Sequence, residues 1–371
     1  MSDMEGTSMT VIQERTFGRV RLGVSGAVGA AAQPRTLKIG VIGYGYWGPK
    51  LVRNFQEIPT TRVAMIADLD PVRRARVSEL YPEIKLTGDY RDLFAPDIDG
   101  VVVATPVSTH YPLAMECLRH GKHILVEKPL ARNRTEGQAL VDAAAVRGLV
   151  LMVGHTFEYN PAVETLKQII ASGTIGRVYY AHAARTNLGI FQKDVNVLWD
   201  LAPHDISILL YALGLEPTNV SACGQAYVQP GIHDVARLVI NFTNQVQAHI
   251  LVSWLDPCKV RRITVVGDKK MVVYDDIEPL EKIKIYDTGV EAPGHTDSYG
   301  EFQLSYRYGD ITIPRISPQE PLKLECAHFA DCILHGRRPR SDGEVGLKVV
   351  KILEAAEKSL LNGGGREPIA W

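Results

Sequence analysis

One break in the chain constrains its fold more than any other feature. The stretch KIGVIGYGYWGPKLVRNF, Lys38 to Phe55, runs apolar, passes three glycines and then turns amphipathic. Gly43, Gly45 and Gly48 fit G-x-G-x-x-G where a strand gives way to a helix. The first allows a tight turn, the second lets a diphosphate approach the backbone, and the third lets helix and strand pack closely. The helix start then offers unpaired N–H groups and a partial positive charge to phosphate. Tyr46 and Trp47 stand in the turn itself. Asp68 closes the next apolar run 20 residues after Gly48, where a carboxylate accepts hydrogen bonds from the ribose hydroxyls of NAD. Arg73 and Arg74 follow it and could take the 2′-phosphate of NADP, or simply form a solvated face. The expected cofactor is NAD, with NADP the alternative.

Around this turn, from Leu37 to Val153, short apolar runs alternate with helical patterns, the sequence form of a parallel sheet covered by helices. LKIGVIG, RVAMIAD, GVVVATP, KHILVEKP and LVLMVGH are predicted strands. Asp70 is expected to cap the helix that opens with Pro71, and Thr135 with Gln138 to form a capping box. After His155 the texture changes. A helix over PAVETLKQIIASG leads into runs of period 2, RVYYAHAAR, NVSACGQAYV, VARLVINF, QAHILVSWL, RRITVVG, MVVYDD and KIKIYD, interrupted by one helix around Leu198 to Gly214. The fold class is α/β. Residues 36–157 form an N-terminal Rossmann NAD(P)-binding domain. Residues 158–371 form a C-terminal α/β domain with a large, open, mostly antiparallel sheet, expected to bind substrate and to join copies of the chain through its bare face. Residues 1–35 are predicted to be a disordered extension, with a weak export signal or a misassigned start as alternatives.

Composition narrows the partners. With 41 basic against 42 acidic residues the net charge is −1, so no basic footprint marks the chain for nucleic acid or an anionic membrane. No run approaches the roughly 18–20 apolar residues of a membrane-spanning helix. Five scattered cysteines without a C-x-x-C pair indicate neither a disulfide framework nor a metal site. A cytoplasmic protein acting on a small molecule is expected.

Candidate chemistry sits where predicted strands end. VEKPL puts Glu127 and Lys128 at the carboxyl edge of a buried parallel sheet, where charges are expensive unless they meet a ligand or pair with each other. ATPVSTH places Thr105 and Pro106 at the same edge, and His110 either near the cofactor or as a packing residue. In WDLAPHD, Asp200 is expected to cap a helix with His204 four residues on, on the same face. A carboxylate beside an imidazole raises its basicity, which suits a general base; a cap and a surface histidine are the plain alternative.

Taken together, GYGYWG, Asp68, ATPVSTH, EKP and the D-x-x-x-H of Asp200 and His204 resemble the glucose–fructose oxidoreductase / inositol dehydrogenase / MocA family, from Lys38 to the final helix. The resemblance implies a Rossmann domain, a second α/β domain whose large open sheet builds a homodimer or homotetramer, tightly bound NAD or NADP, and an oxidoreductase acting on a sugar hydroxyl. It makes Lys128 the lysine between substrate and cofactor, puts a cis peptide bond before Pro129, and makes His204 the acid/base with Asp200 beside it. His155, Tyr159, Asn160, Arg185 and Asn187 are candidates, with His204, for holding the sugar. RTNLG and NVLWDLAPHDISIL are most similar to the subgroup that oxidises C3 of UDP- or dTDP-linked amino sugars. Inositol or free-aldose dehydrogenases, NAD-retaining glycosidases and non-catalytic NAD(P)-sensing regulators are the other occupations the family implies.

Overall fold

The computed structural model describes residues 35–189, 191–291 and 305–371. The extension predicted over 1–35 lies outside the described residues except for Arg35.

The alternating first third builds a parallel sheet of β1 (Leu37–Ile42), β2 (Thr61–Ala67), β3 (Lys85–Thr87), β4 (Gly100–Val103), β5 (His123–Glu127) and β6 (Leu151–Gly154). Its order is β3-β2-β1-β4-β5-β6, so the direction of winding reverses between β1 and β4. A crevice opens there at the carboxyl ends of the strands. The helices between are α1 (Gly48–Glu57), α2 (Pro71–Leu80), α3 (His110–Arg119) and α4 (Arg134–Arg147). β4 and β6 are buried at every position, as parallel strands covered on both faces must be. Asp70 caps α2 as expected, accepting from the Val72 N–H at 2.8 Å. The cap of α4 is Asn133, not the Thr135–Gln138 box. Asn133 holds the extended backbone of a cap and accepts from Glu136 N–H at 2.9 Å, while Thr135 is already helical.

The second sheet contains β7 (Val178–Leu188), β8 (Pro217–Gln225), β9 (Val235–Phe242), β10 (Gln247–Ser253), β11 (Leu255–Gly267), β12 (Met271–Asp275), β13 (Ile283–Glu291), β14 (Ser305–Thr312) and β15 (Glu367–Pro368). They run β14-β13-β12-β11-β7-β10-β9-β8-β15. Among these pairs only β7 with β10 is parallel. Alternation sets the faces: Ala236, Leu238, Ile240 and Phe242 of β9 point into the core while Arg237 is exposed. The inner face is covered by α5 (Pro161–Ala171), α6 (Val197–Leu213) and α8 (Gly343–Leu361). The outer face presents Tyr180, His182 and His249, the two histidines directly paired across β7 and β10.

α6 differs from expectation in a way that moves the site. Its cap is Asn196, whose side chain accepts from Trp199 N–H at 3.2 Å; Asp200 lies one turn inside and caps nothing. Pro203 therefore sits within the helix, where its missing N–H removes one helical bond.

The late helices belong to both halves. α7 (Pro321–His335) returns to the first sheet: Phe329 and Ile333 cover Gly100 of β4, and the Phe55 and Phe329 rings meet edge-on at 6.2 Å. α8 packs Gly346 against Val153 and Leu130 at one end, and the hydroxyl of Ser359 accepts from Ala222 N–H at 2.8 Å at the other.

Candidate active site

The glycine turn has the geometry a dinucleotide needs. Gly43 adopts φ +95, and a Cβ there would lie 2.6 Å from the Ala104 carbonyl oxygen. A Cβ on Gly48 would collide with the carbonyl oxygen of Gly43. Gly45 is different: a Cβ would find only an Arg73 nitrogen, at 3.7 Å, so this backbone faces the crevice. Asp68 is buried at the end of β2 and holds the turn, accepting from Tyr44 N–H at 2.6 Å and from Asp70 N–H at 2.8 Å. Arg74 donates to the Asp68 carbonyl at 2.6 Å, and Arg73 lies 3.6 Å from its carboxylate. Both arginines thus border the position where an adenosine ribose would sit. Lys50, which sequence reasoning passed over, holds its ammonium 3.6 Å from the Tyr46 ring centroid and 4.4 Å from that of Trp47. A lysine in the first turn after the third glycine was the available signal.

At the end of β4, Thr105 is half-buried and Pro106 exposed, facing the crevice. His110 is a correction. It is buried, with its ring nitrogens 2.8 Å from the carbonyl oxygens of Pro129 and Thr105. It ties the two strand-end turns together and presents no free nitrogen to a cofactor. The peptide bond between Lys128 and Pro129 is cis. Glu127 is buried, and desolvation pushes its carboxyl up to about 7 against the pull of Lys128.

Lys128 crosses from the first sheet to α6. Its ammonium donates to the Asp200 carbonyl at 2.7 Å and to the Asp200 carboxylate at 3.4 Å. The other carboxylate oxygen accepts from the indole N–H of Trp254 at 3.0 Å. The expectation that Asp200 orients His204 is therefore corrected: both its oxygens are committed to Lys128 and Trp254. His204, one turn further along α6, has its Nδ1 buried without a partner, and its ring meets Phe157 edge-on at 5.1 Å. Burial first, then the charges of Lys128 and Arg185, hold the imidazole well below the ordinary histidine range. His155 is buried with both ring nitrogens unpartnered, and burial beside Lys128 lowers it to about 3. Burial and the charge of Lys128 thus favour the neutral form of both imidazoles beside one ammonium, an arrangement able to accept a proton and to stabilise an adjacent oxyanion.

Of the remaining substrate candidates, only Asn187 is half-buried at the crevice end of β7. Three others serve the fold. Arg185 forms a two-pronged buried ion pair with Asp205, at 2.8 and 3.0 Å, under the Phe157 ring. Asn160 caps α5 through Ala162 N–H at 2.9 Å and donates to the Tyr274 hydroxyl at 3.1 Å. The Tyr159 hydroxyl pairs with Ser341 at 3.0 Å. Each is buried because each joins elements distant in sequence, which no local pattern records. Glu158 and Glu325 were likewise missed: both are buried and pushed well above the carboxyl range by desolvation.

A glycine turn at the winding reversal of a parallel sheet, with Lys128 at a neighbouring strand end reaching the helix that carries His204, fits an NAD-dependent oxidoreductase. Comparison with known proteins agrees: residues 37–155 match the model of the oxidoreductase family with an NAD-binding Rossmann fold, and residues 163–273 that of the GFO/IDH/MocA C-terminal domain. The chain belongs to the Gfo/Idh/MocA family. It is 26% identical to the UDP-N-acetylglucosamine 3-dehydrogenase of Acidithiobacillus ferrooxidans, across 85% of this chain and 94% of that one. It is also 26% identical to the myo-inositol 2-dehydrogenase of Thermotoga maritima, across 87% and 96%. A solved structure of the Acidithiobacillus enzyme superposes with a TM-score of 0.72 at 25% identity, covering 88% of this chain and 97% of that one.

Proposed function

We propose that the chain oxidises a secondary hydroxyl of a sugar, with C3 of a UDP- or dTDP-linked amino sugar the favoured substrate. The carrying observation is the bond from Lys128, at the end of β5, to Asp200, one turn before His204 on α6. It draws an ammonium from one lobe and an imidazole from the other to one crevice. NAD, when held by the turn of Gly43, Gly45 and Gly48 with Asp68 on its ribose, supplies the acceptor for a hydride from the sugar carbon. His204, half-buried and held neutral by desolvation and by neighbouring cations, takes the hydroxyl proton as the ketone forms. Lys128 holds the oxygen as charge develops on it, a role that contributes roughly 3–4 kcal/mol where oxyanion donors have been removed elsewhere. His155 and Asn187 orient the sugar. Lys50 stands near enough to the turn to steady a diphosphate.

The favoured substrate rests on likeness to the UDP-N-acetylglucosamine 3-dehydrogenase and on the RTNLG and WDLAPHD segments; likeness to the myo-inositol 2-dehydrogenase makes inositol the second reading. The reaction takes place in the cytoplasm, in a homodimer or homotetramer joined through the bare face of the second sheet. Incubation with NAD and a panel of UDP-sugars, dTDP-sugars, free aldoses and inositols, following reduced nicotinamide and product mass, tests the reading. A 3-keto nucleotide sugar is the expected product. A keto-inositol would move the substrate to the second reading, and no reduced nicotinamide with any of the panel would overturn the reaction.

A further inference from the structure

Trp254 is the buried side chain that the reaction does not use but that reaches its machinery. It stands between β10 and β11, 1% exposed. Its backbone is fixed on both sides, donating to the Asp234 carbonyl at 2.9 Å and accepting from Gly189 N–H at 3.0 Å. The ring is fixed too: Phe191 meets it edge-on at 5.6 Å, and a Cβ on Gly189 would lie 2.7 Å from the indole. Its one polar atom, the indole N–H, points at Asp200 Oδ2 from 3.0 Å.

We propose that Trp254 is a positioning residue: its indole N–H locks the Asp200 carboxylate toward Lys128 and away from His204. The argument is one of competing donors. Asp200 and His204 are four residues apart on α6, within reach of each other on one helix face. A carboxylate free to rotate there would swing to the imidazole and favour its charged form. With one oxygen pinned by a rigid indole and the other engaged by Lys128 at 3.4 Å, that swing is closed. The other groups around His204 do not substitute for the lock. Lys128 from β5, His155 after β6, Arg185 of β7 and Arg261 of β11 all disfavour its protonation, and Arg185 and Arg261 are themselves paired with Asp205 and Asp276. Asp200 is the remaining carboxylate on the helix face of His204, so its direction decides whether the base is available.

The inference deepens the proposed reaction, and its primary test needs no substrate. In histidine-labelled protein the His204 ring, assigned with a His204→Gln variant, is titrated by NMR in wild type, in Trp254→Phe, and in a chain carrying 3-benzothienylalanine at 254. That last residue keeps the shape of the indole and removes only the N–H, so it reports even if Trp254→Phe does not fold. In wild type the ring is expected to stay neutral through about pH 6.5, where an ordinary histidine titrates. In the variants its midpoint rises by about one pH unit or more. In turnover, the acid limb of kcat moves up with it, kcat falls along that limb and keeps its plateau at higher pH, and KM for NAD is unchanged. An unmoved His204 midpoint in the benzothienyl protein would overturn the inference whatever happens to the rate. A moved midpoint without turnover of any sugar would uphold it and overturn the proposed reaction instead.

Discussion

The base and its neighbours carry the sharpest consequences. In the proposed reaction His204 takes the proton and must be neutral to do so, and its surroundings hold it below the usual histidine range. The sign follows directly: activity persists at pH values where an unperturbed histidine is already charged. A profile of kcat/KM against pH is expected to show its acid limb below about pH 6.5. Replacing His204 by Gln or Lys128 by Met is expected to lower kcat by about 10²–10⁴-fold while the chain stays folded, read by initial rates and thermal unfolding side by side. At the ribose, Asp68→Ser removes the carboxylate that faces Arg73 at 3.6 Å. NAD then binds more weakly and NADP gains, seen as a reversal of the two KM values. The places of Gly43, Gly45, Gly48 and Asp68 at a strand-to-helix turn, and of Lys128 at a strand end, were legible in the chain because each depends on residue type and short spacing; His204 was singled out as the base only through the family resemblance. The partner of Asp200 was not legible. It comes from β5 and from the β10–β11 junction, 72 and 54 residues away, and D-x-x-x-H carries no trace of either.

Elements depend on local caps and close approaches. Asn196→Ala leaves the first turn of α6 with an unpaired N–H and is expected to destabilise the protein by about 1 kcal/mol. Because Asp200 and His204 ride on that helix, a denaturant titration and a turnover assay should both register the change. Gly48→Ala is a different case. Its Cβ would collide with the Gly43 carbonyl, so the turn opens and NAD affinity, measured by calorimetry, falls while the remaining fold persists. Strands flanked by punctuation, such as β4 and β5, could be placed from sequence because a fully buried parallel strand is a short unbroken apolar run. β3 and β15 could not: they are 3 and 2 residues long and exist only because a neighbour pairs with them. The same blindness misplaced the cap of α6. Asn196 and Asp200 are both good cap residues, and tertiary packing chose between them.

Across the whole molecule, buried acids set the response to pH. Glu325 on α7 is 1% exposed, with one oxygen unpartnered and the other accepting from Thr156 at 2.6 Å. Desolvation raises it well above the ordinary carboxyl value. Its contribution to stability is therefore complete below that ordinary value and is lost as pH rises toward the folded one. Glu325→Gln does not titrate, so its melting temperature is expected to match wild type near about pH 4 and to exceed it increasingly toward about pH 8. Both sheets could be foreseen from the change of period after His155. That α7 comes back to roof the first sheet could not, since an amphipathic helix does not name the surface it will meet. That return has a consequence for synthesis. The ribosome releases β1 and β4 long before Pro321 to His335 exist, leaving Gly100, Phe55 and their apolar neighbours bare on the emerging polypeptide. A message cut short ahead of codon 321 is accordingly expected to yield inclusion bodies instead of a self-sufficient nucleotide-binding fragment, and the intact chain to lean on holdase chaperones until its last helices leave the exit tunnel.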